Sequence, residues 1–158
     1  MSNDDLQAKM MEIHDDLMAH VGDSEFNDMP EIQQWIKETS GNIHREAWCS
    51  DGMNHFVKKH GLPGTGSAAA ISWLKWGVSA GDTTFPGCIL VFEWSGGSDA
   101  GGHHVTMMAK DQSGTDADTI ACIGCNQGNE VKVSIFPLAD IMDDGIRMPD
   151  GWEVQQAA

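Results

Sequence analysis

Three strand-like runs in the second half of the chain, at residues 103–110, 119–125 and 130–136, are separated by linkers too short to hold a crossover. The linkers at 111–118 and 127–129 are rich in turn formers, so consecutive runs are expected to pair as antiparallel neighbours. A further run at 88–94 enters from Pro86-Gly87 and is bounded by the glycine-rich stretch 95–102. Ahead of these the apolar period changes. Leu6, Met10, Ile13, Leu17 and Val21 recur at steps of three and four, predicting an amphipathic helix over 4–21 that stops at Gly22. Pro30 suits the first turn of a second helix, 30–39, with Ile32, Trp35 and Ile36 as its apolar stripe. A third helix is expected over 48–60, with Met53, Phe56 and Val57 inward and Gly61 as its stop. Ser67 is expected to cap a short helix over 68–76, ending at Gly77, and residues 137–158 read as an acidic, loop-like tail with a frayed end. Helices first and then a meander of strands is an α+β plan, with N-terminal helices packed on an antiparallel sheet of four or more strands.

The 158 residues are the size of one domain, and their 41% apolar content fills a single core. A net charge of −15 excludes the basic face that nucleic-acid binding needs, and it disfavours adsorption to an anionic membrane or wall polymer. No apolar run approaches the ~20 residues of a membrane span, so no membrane insertion is expected. Met1-Ser2-Asn3-Asp4-Asp5 carries neither a basic nor an apolar signal region, so the chain is expected to be made in the cytoplasm. The glycine-rich segment 61–67 lacks the lysine ending of a phosphate loop, and the loop at 111–118 lacks the glycine and distal glutamate of a calcium loop. Both read as turns. Cys122-x-x-Cys125 has the spacing of a redox pair or half a zinc site, but no second ligand pair follows, so these cysteines read as buried strand thiols.

Cys49 has different surroundings. It lies one residue into a predicted helix, directly after Trp48, where the positive end of the dipole and unpaired N–H groups favour thiolate and can hold an oxyanion. Gly102-His103-His104-Val105 places imidazoles at the start of a strand, and Gly124-Cys125-Asn126 ends the next one. A cysteine nucleophile, a histidine base and an amide that orients the imidazole are the parts of acyl transfer. Strand neighbours face opposite ways, so only one of His103 and His104 can face the helix.

In order along the chain stand Ala47-Trp48-Cys49-Ser50, Gly61-Leu62-Pro63-Gly64-Thr65-Gly66-Ser67-Ala68 and Ser72-Trp73-Leu74-Lys75-Trp76-Gly77. Phe85-Pro86-Gly87-Cys88-Ile89-Leu90-Val91-Phe92, Gly102-His103-His104-Val105 and Gly124-Cys125-Asn126-Gln127-Gly128-Asn129 follow. This set resembles the small cysteine hydrolases of the NlpC/CHAP superfamily, particularly a compact group of bacteria and phages. The resemblance implies a papain-like α+β core over 23–149, with residues 1–22 as an added helix and 150–158 as a tail of one catalytic domain spanning 1–158. It implies hydrolysis of amide bonds in peptidoglycan stem peptides or cross-links, as in a phage endolysin. Cys49 is then the nucleophile, His104, which precedes the valine of the family's Gly-His-Val, the general base, and Asn126 the orienter of the imidazole. Trp48, Ser50, Asp51 and His103 are the expected substrate contacts. No metal or other cofactor is implied, the chain is expected to be monomeric, and its bacterial peptidoglycan would be reached by release or delivery.

The chain departs from the family pattern after Trp48-Cys49, where Ser50-Asp51-Gly52-Met53 replaces small or apolar residues. Cys88 stands in place of an aspartate, and Cys125 in place of a glycine. Gly52 weakens its helix by about 1 kcal/mol relative to alanine, which fits a close neighbour. Two other classes compete with the hydrolase. One is a silent structural or binding module of a phage particle on the same fold; the other is a metal or redox module built on Cys88, Cys122 and Cys125.

Overall fold

Ser2 and Asp5 cap each other at the start of the chain, the Asp5 N–H donating to Ser2 Oγ at 3.1 Å and the Ser2 N–H to Asp5 Oδ2 at 3.2 Å. They open α1 (Asn3–Ala19), which buries Leu6, Met10, Ile13 and Leu17. Val21, the last position of the expected stripe, lies beyond the helix and is exposed, because the chain turns at Gly22 with φ +100°. The computed structural model describes residues 1–40, 47–95 and 102–154. Most of the glycine-rich stretch after the first long strand, and the expected frayed end, lie outside the described residues.

α2 (Met29–Ser40) packs against α3 (Cys49–Lys59), burying Ile32, Trp35 and Ile36 against Met53, Phe56 and Val57. Trp35 meets Phe56 edge-on at 5.2 Å between ring centroids. The helix expected over 68–76 is instead a short 3₁₀ segment, Ala70–Lys75, and Ser67 does not cap it as an α-helix. Trp73 and Trp76 explain the tighter winding. Three residues apart, they are eclipsed in a 3₁₀ turn, so both rings enter the core together with centroids 5.2 Å apart. Their indoles are satisfied, Trp73 Nε1 donating to Ser50 Oγ at 2.8 Å and Trp76 Nε1 to the Pro63 carbonyl at 2.7 Å.

The sheet has six antiparallel strands in the order β1-β6-β2-β3-β4-β5. They are β1 (Val78–Ser79), β2 (Ile89–Glu93), β3 (His103–Met108), β4 (Thr119–Gly124), β5 (Lys132–Pro137) and β6 (Ile141–Met148). The expected antiparallel meander is therefore β2 to β5, and the α+β plan holds. The tail expected to be a loop is not one: β6 inserts between β1 and β2. Its sequence hides the strand because Asp143-Asp144-Gly145 sits in an irregular bulge and Arg147 is buried. The guanidinium is held by the carbonyls of Trp76 and Asp144, at 3.0 and 3.2 Å. A buried cation so satisfied reads as a loop residue in a single sequence.

α3 lies against β3 and β4 and is buried along most of its length. A Cβ built on Gly52 would fall on the sulfur of Cys125, so the helix reaches the sheet only because this position has no side chain. Gly52→Ala should therefore destabilise the fold by about 1–3 kcal/mol, although alanine is the better helix former. Adding Cys125→Gly should recover part of that loss. Urea denaturation of the two single variants and the double variant measures it, and additive losses would refute the contact.

Candidate active site

Cys49 is the first residue of α3, and Trp48, which precedes it, forms no side-chain cap. The first-turn N–H groups therefore get no acceptor from the residue before the helix. One of them, Ser50 N–H, points at the Cys49 sulfur, as does Val105 N–H from β3. His104 stands beside Val105 on that strand and shares the cleft floor with the thiol, close enough for each to act on the other's ionisation. His103, of opposite parity, pairs its Nε2 with Glu93 Oε2 at 3.4 Å across the β2–β3 register and reaches only the rim of the cleft.

The imidazole is fixed by Gln127. After Gly124 the chain turns through Asn126, whose φ of 54° is left-handed, and brings Gln127 back beneath β3. The Gln127 side-chain NH₂ donates to the carbonyls of Cys122 at 3.1 Å and Lys132 at 2.7 Å. Reversing the amide would set its oxygen against both of those carbonyls, so Oε1 must face His104. Oε1 lies 3.1 Å from His104 Nε2 and 2.7 Å from the Thr106 hydroxyl. Accepting there requires a proton on Nε2, which leaves Nδ1 for the thiol. Gly124 is part of the fit, since an added Cβ would stand 2.6 Å from Gln127 Oε1.

Aromatic rings close the imidazole from above. Trp94 stacks on His104 at 5.8 Å between centroids and 22° between planes, and Phe136 packs at 5.5 Å. Burial alone would push the Cys49 thiol up. The facing His104 charge and hydrogen bond, with the two backbone N–H groups, outweigh it and hold the thiol below its ordinary value. Burial would likewise lower His104, but the Cys49 thiolate and the bond to Gln127 hold the imidazole above its ordinary value. Both shifts run towards a thiolate and an imidazolium, the activated form of a cysteine nucleophile.

Cys49, His103, His104, Asn126 and Gln127 line one cleft of about 360 Å³, with Trp94 and Phe136 in its walls. Asn126 is therefore in the cleft wall, but the imidazole's partner is the next residue, Gln127. Trp48, Ser50 and Asp51, expected to touch substrate, are fully buried and do not line it. Helical geometry explains this, since only Cys49 of the four points at β3. Trp48 Nε1 donates to Glu25 Oε1 at 3.3 Å, and Ser50 Oγ donates to the Ser67 carbonyl at 2.6 Å while receiving Trp73. Gln127, Trp94 and Phe136 were not expected from the sequence. The one available signal was Gln127, polar and directly after Asn126. All four cysteines are buried and free. Among the described residues, the only His, Cys, Asp and Glu side chains close enough to share a cation are His20, Asp23 and Glu31, none of which lines the cleft.

The four thiols should differ sharply in reactivity. Burial pushes Cys88 up to about 12 and raises Cys122 and Cys125 as well, so Cys49 should be the first of the four to ionise as pH rises. Iodoacetamide at pH 7 should label one site per folded chain, found by peptide mass mapping. Its rate should rise with pH through an inflection below the free-thiol range of about 8.5, as the lowered Cys49 value requires. His104→Ala removes the counter-charge and leaves the burial, so the inflection should move up. A wild-type inflection at or above the free-thiol range would rule out the ion pair.

No family model, curated protein or solved structure matches the chain.

Proposed function

We propose that the chain is a cysteine hydrolase of amide bonds, papain-like in its active-site plan and related to the NlpC/CHAP enzymes that cut peptidoglycan peptides. The observation that carries this reading is the continuous chain from the Cys49 thiol through the His104 imidazole to the pinned amide of Gln127. A thiol needs an adjacent base, and the base needs a group that fixes its tautomer. All three are present at the floor of an open cleft.

In this reading the Cys49 thiolate attacks the carbonyl carbon of a substrate amide, and its electron pair moves onto the oxygen. The N–H groups at the start of α3 stabilise that oxyanion. His104 gives its proton to the leaving nitrogen as the C–N bond breaks, which leaves a thioester on Cys49. Neutral His104 then takes a proton from water, the hydroxide attacks the thioester, and thiolate and carboxylic acid are released. Gln127 keeps the Nε2 proton in place throughout, the role the sequence assigned to Asn126. Trp94 and Phe136 exclude water from the ion pair, which strengthens it. Stem peptides or cross-links of bacterial peptidoglycan are the substrate, reached after release or delivery to the wall as by an endolysin.

Digestion of purified sacculi from several wall types, followed by mass spectrometry of the fragments, tests this directly. Wild-type protein should release fragments whose masses identify the bond, and Cys49→Ala should release none. Gln127→Ala should lower the rate by about ten- to a hundred-fold, on the scale of other groups that orient a catalytic histidine. Asn126→Gly, which keeps the left-handed backbone, should cost less. Fragments released equally by Cys49→Ala would remove the mechanism. No fragments from any wall, with Cys49 still alkylated as above, would move the reading to a different substrate or a silent module.

A further inference from the structure

Two of the four buried thiols stand together at the start of α3. Gly52 has no side chain, and a Cβ added there would stand 2.6 Å from the Cβ of Cys125, so that cysteine takes the place of a residue-52 side chain. Cys49 lies three residues earlier on the same helix, and positions three apart share one face with about 5–6 Å between Cβ atoms. The two sulfurs are near enough that the Cys49 charge, after burial, raises the Cys125 thiol. A disulfide joins Cβ atoms about 3.5–4.5 Å apart, so rotation of the Cys49 side chain with a small shift of the first helical turn brings the pair to bonding distance. The other two thiols are held apart. The Cys88 carbonyl accepts the Met108 N–H from one side and Cys122 pairs with Met108 from the other, so β3 separates them by two strand spacings, about 10 Å.

Access gives the two cysteines different roles. Cys49 lines the open cleft, whereas Cys125 is 1% exposed and lines no part of it. A small oxidant from solvent therefore meets Cys49 first, and that is the thiol His104 activates. Amide hydrolysis at Cys49 makes no use of Cys125. The pattern of the NlpC/CHAP enzymes has a glycine where this chain has Cys125, so the second thiol is a feature of this chain.

We propose that Cys49 and Cys125 are a redox pair, in which hydrogen peroxide oxidises Cys49 and Cys125 resolves the product as a disulfide. Cys49, as thiolate, attacks one oxygen of the peroxide. The S–O bond forms as the O–O bond breaks, and the leaving hydroxide takes the His104 proton to become water. The product is a sulfenic acid on Cys49. The Cys125 sulfur then attacks the sulfenic sulfur, an S–S bond replaces the S–O bond, and the departing hydroxide carries away the Cys125 proton as water. Together the two thiols lose two electrons, and the peroxide is reduced to two waters. A sulfenic acid is neutral, so the Cys49 charge that opposed ionisation of Cys125 is gone when the second step begins. The disulfide silences the nucleophile and protects it from irreversible oxidation until a reducing thiol restores both cysteines. The inference rests on Cys49 being the activated nucleophile of the proposed hydrolase, but not on peptidoglycan being its substrate.

The test treats reduced full-length protein with hydrogen peroxide at neutral pH, denatures it in excess iodoacetamide and maps it by mass spectrometry without reduction. Two of the four thiols should escape alkylation, and one cross-linked pair of peptides should join Cys49 to Cys125. A phosphine reductant should return both to the alkylatable pool. Cys125→Ala should still label at Cys49 before oxidation, which reports a folded site. After peroxide it should stop at the sulfinic acid, with recovery of Cys49 labelling about tenfold lower than in wild type. The wild-type map decides on its own where the variant does not fold. Sulfinic acid on wild-type Cys49, a link through Cys88 or Cys122, a link between chains, or an alkylatable Cys49 that peroxide leaves unchanged would each overturn the pair. Equal recovery in Cys125→Ala and wild type would do the same. A link between Cys49 and Cys125 in a protein that cuts no wall keeps the pair and removes only the peptidoglycan reading. Wall fragments from a protein that forms no link keep the hydrolase and remove the pair.

Discussion

The approach of α3 to the sheet governs the rest of the molecule. A helix and a sheet normally keep their distance because both carry side chains at the interface. Here Gly52 has none, and Cys125 fills the gap from the turn after β4. That contact lies one helical turn from Cys49 and two residues from Gln127. The packing that seats the helix therefore also sets the Cys49 thiol beside His104, and His104 against the amide that holds it. The site's parts stand on a helix end, a strand and a turn tied to the strands before and after it by one carbonyl acceptor on each.

Burying an ion pair beneath aromatic rings is not a cheap source of stability. Desolvation of the thiolate and the imidazolium opposes their attraction, and buried pairs of this kind often contribute little net free energy to folding. What the burial supplies is reactivity, because the low local dielectric magnifies the field of each partner at the other. Cys88, Cys122 and Cys125 provide the internal comparison. They share the burial but face no imidazole, and their thiols are pushed up, whereas that of Cys49 is pulled down. Burial is common to all four, so the neighbour decides the outcome.

Much of this was legible in the sequence where a local rule applied. The steps through Leu6, Met10, Ile13 and Leu17 place α1, and Gly61 stops α3 with φ +86°. The short linkers dictate the meander from β2 to β5. The local rules failed where distant residues decide. β6 looks like a loop because its bulge and buried Arg147 carry polar residues whose partners, Trp76 and Gly77, lie some 70 positions away. The helix expected at 68–76 tightens to 3₁₀ because two indoles share one pocket. In the site, Cys49 and His104 follow from their places at a helix start and on a strand. The partner of His104 depends on a left-handed residue, Asn126, which shifts the amide by one position. Trp48, Ser50 and Asp51 were misplaced because neighbours in sequence diverge by about 100° each around a helix, so proximity to Cys49 along the chain is not proximity to its substrate.

A net charge of −15 says nothing by itself about where the charge is used. Much of it is spent locally within the fold. Asp16 holds Lys59 and His60 at 2.9 and 2.7 Å, and Asp5 caps its own helix. Beside the cleft the pattern is different, because Asp140 and Asp143 line one hollow and neither carboxylate has a hydrogen bond or ion pair among the described residues.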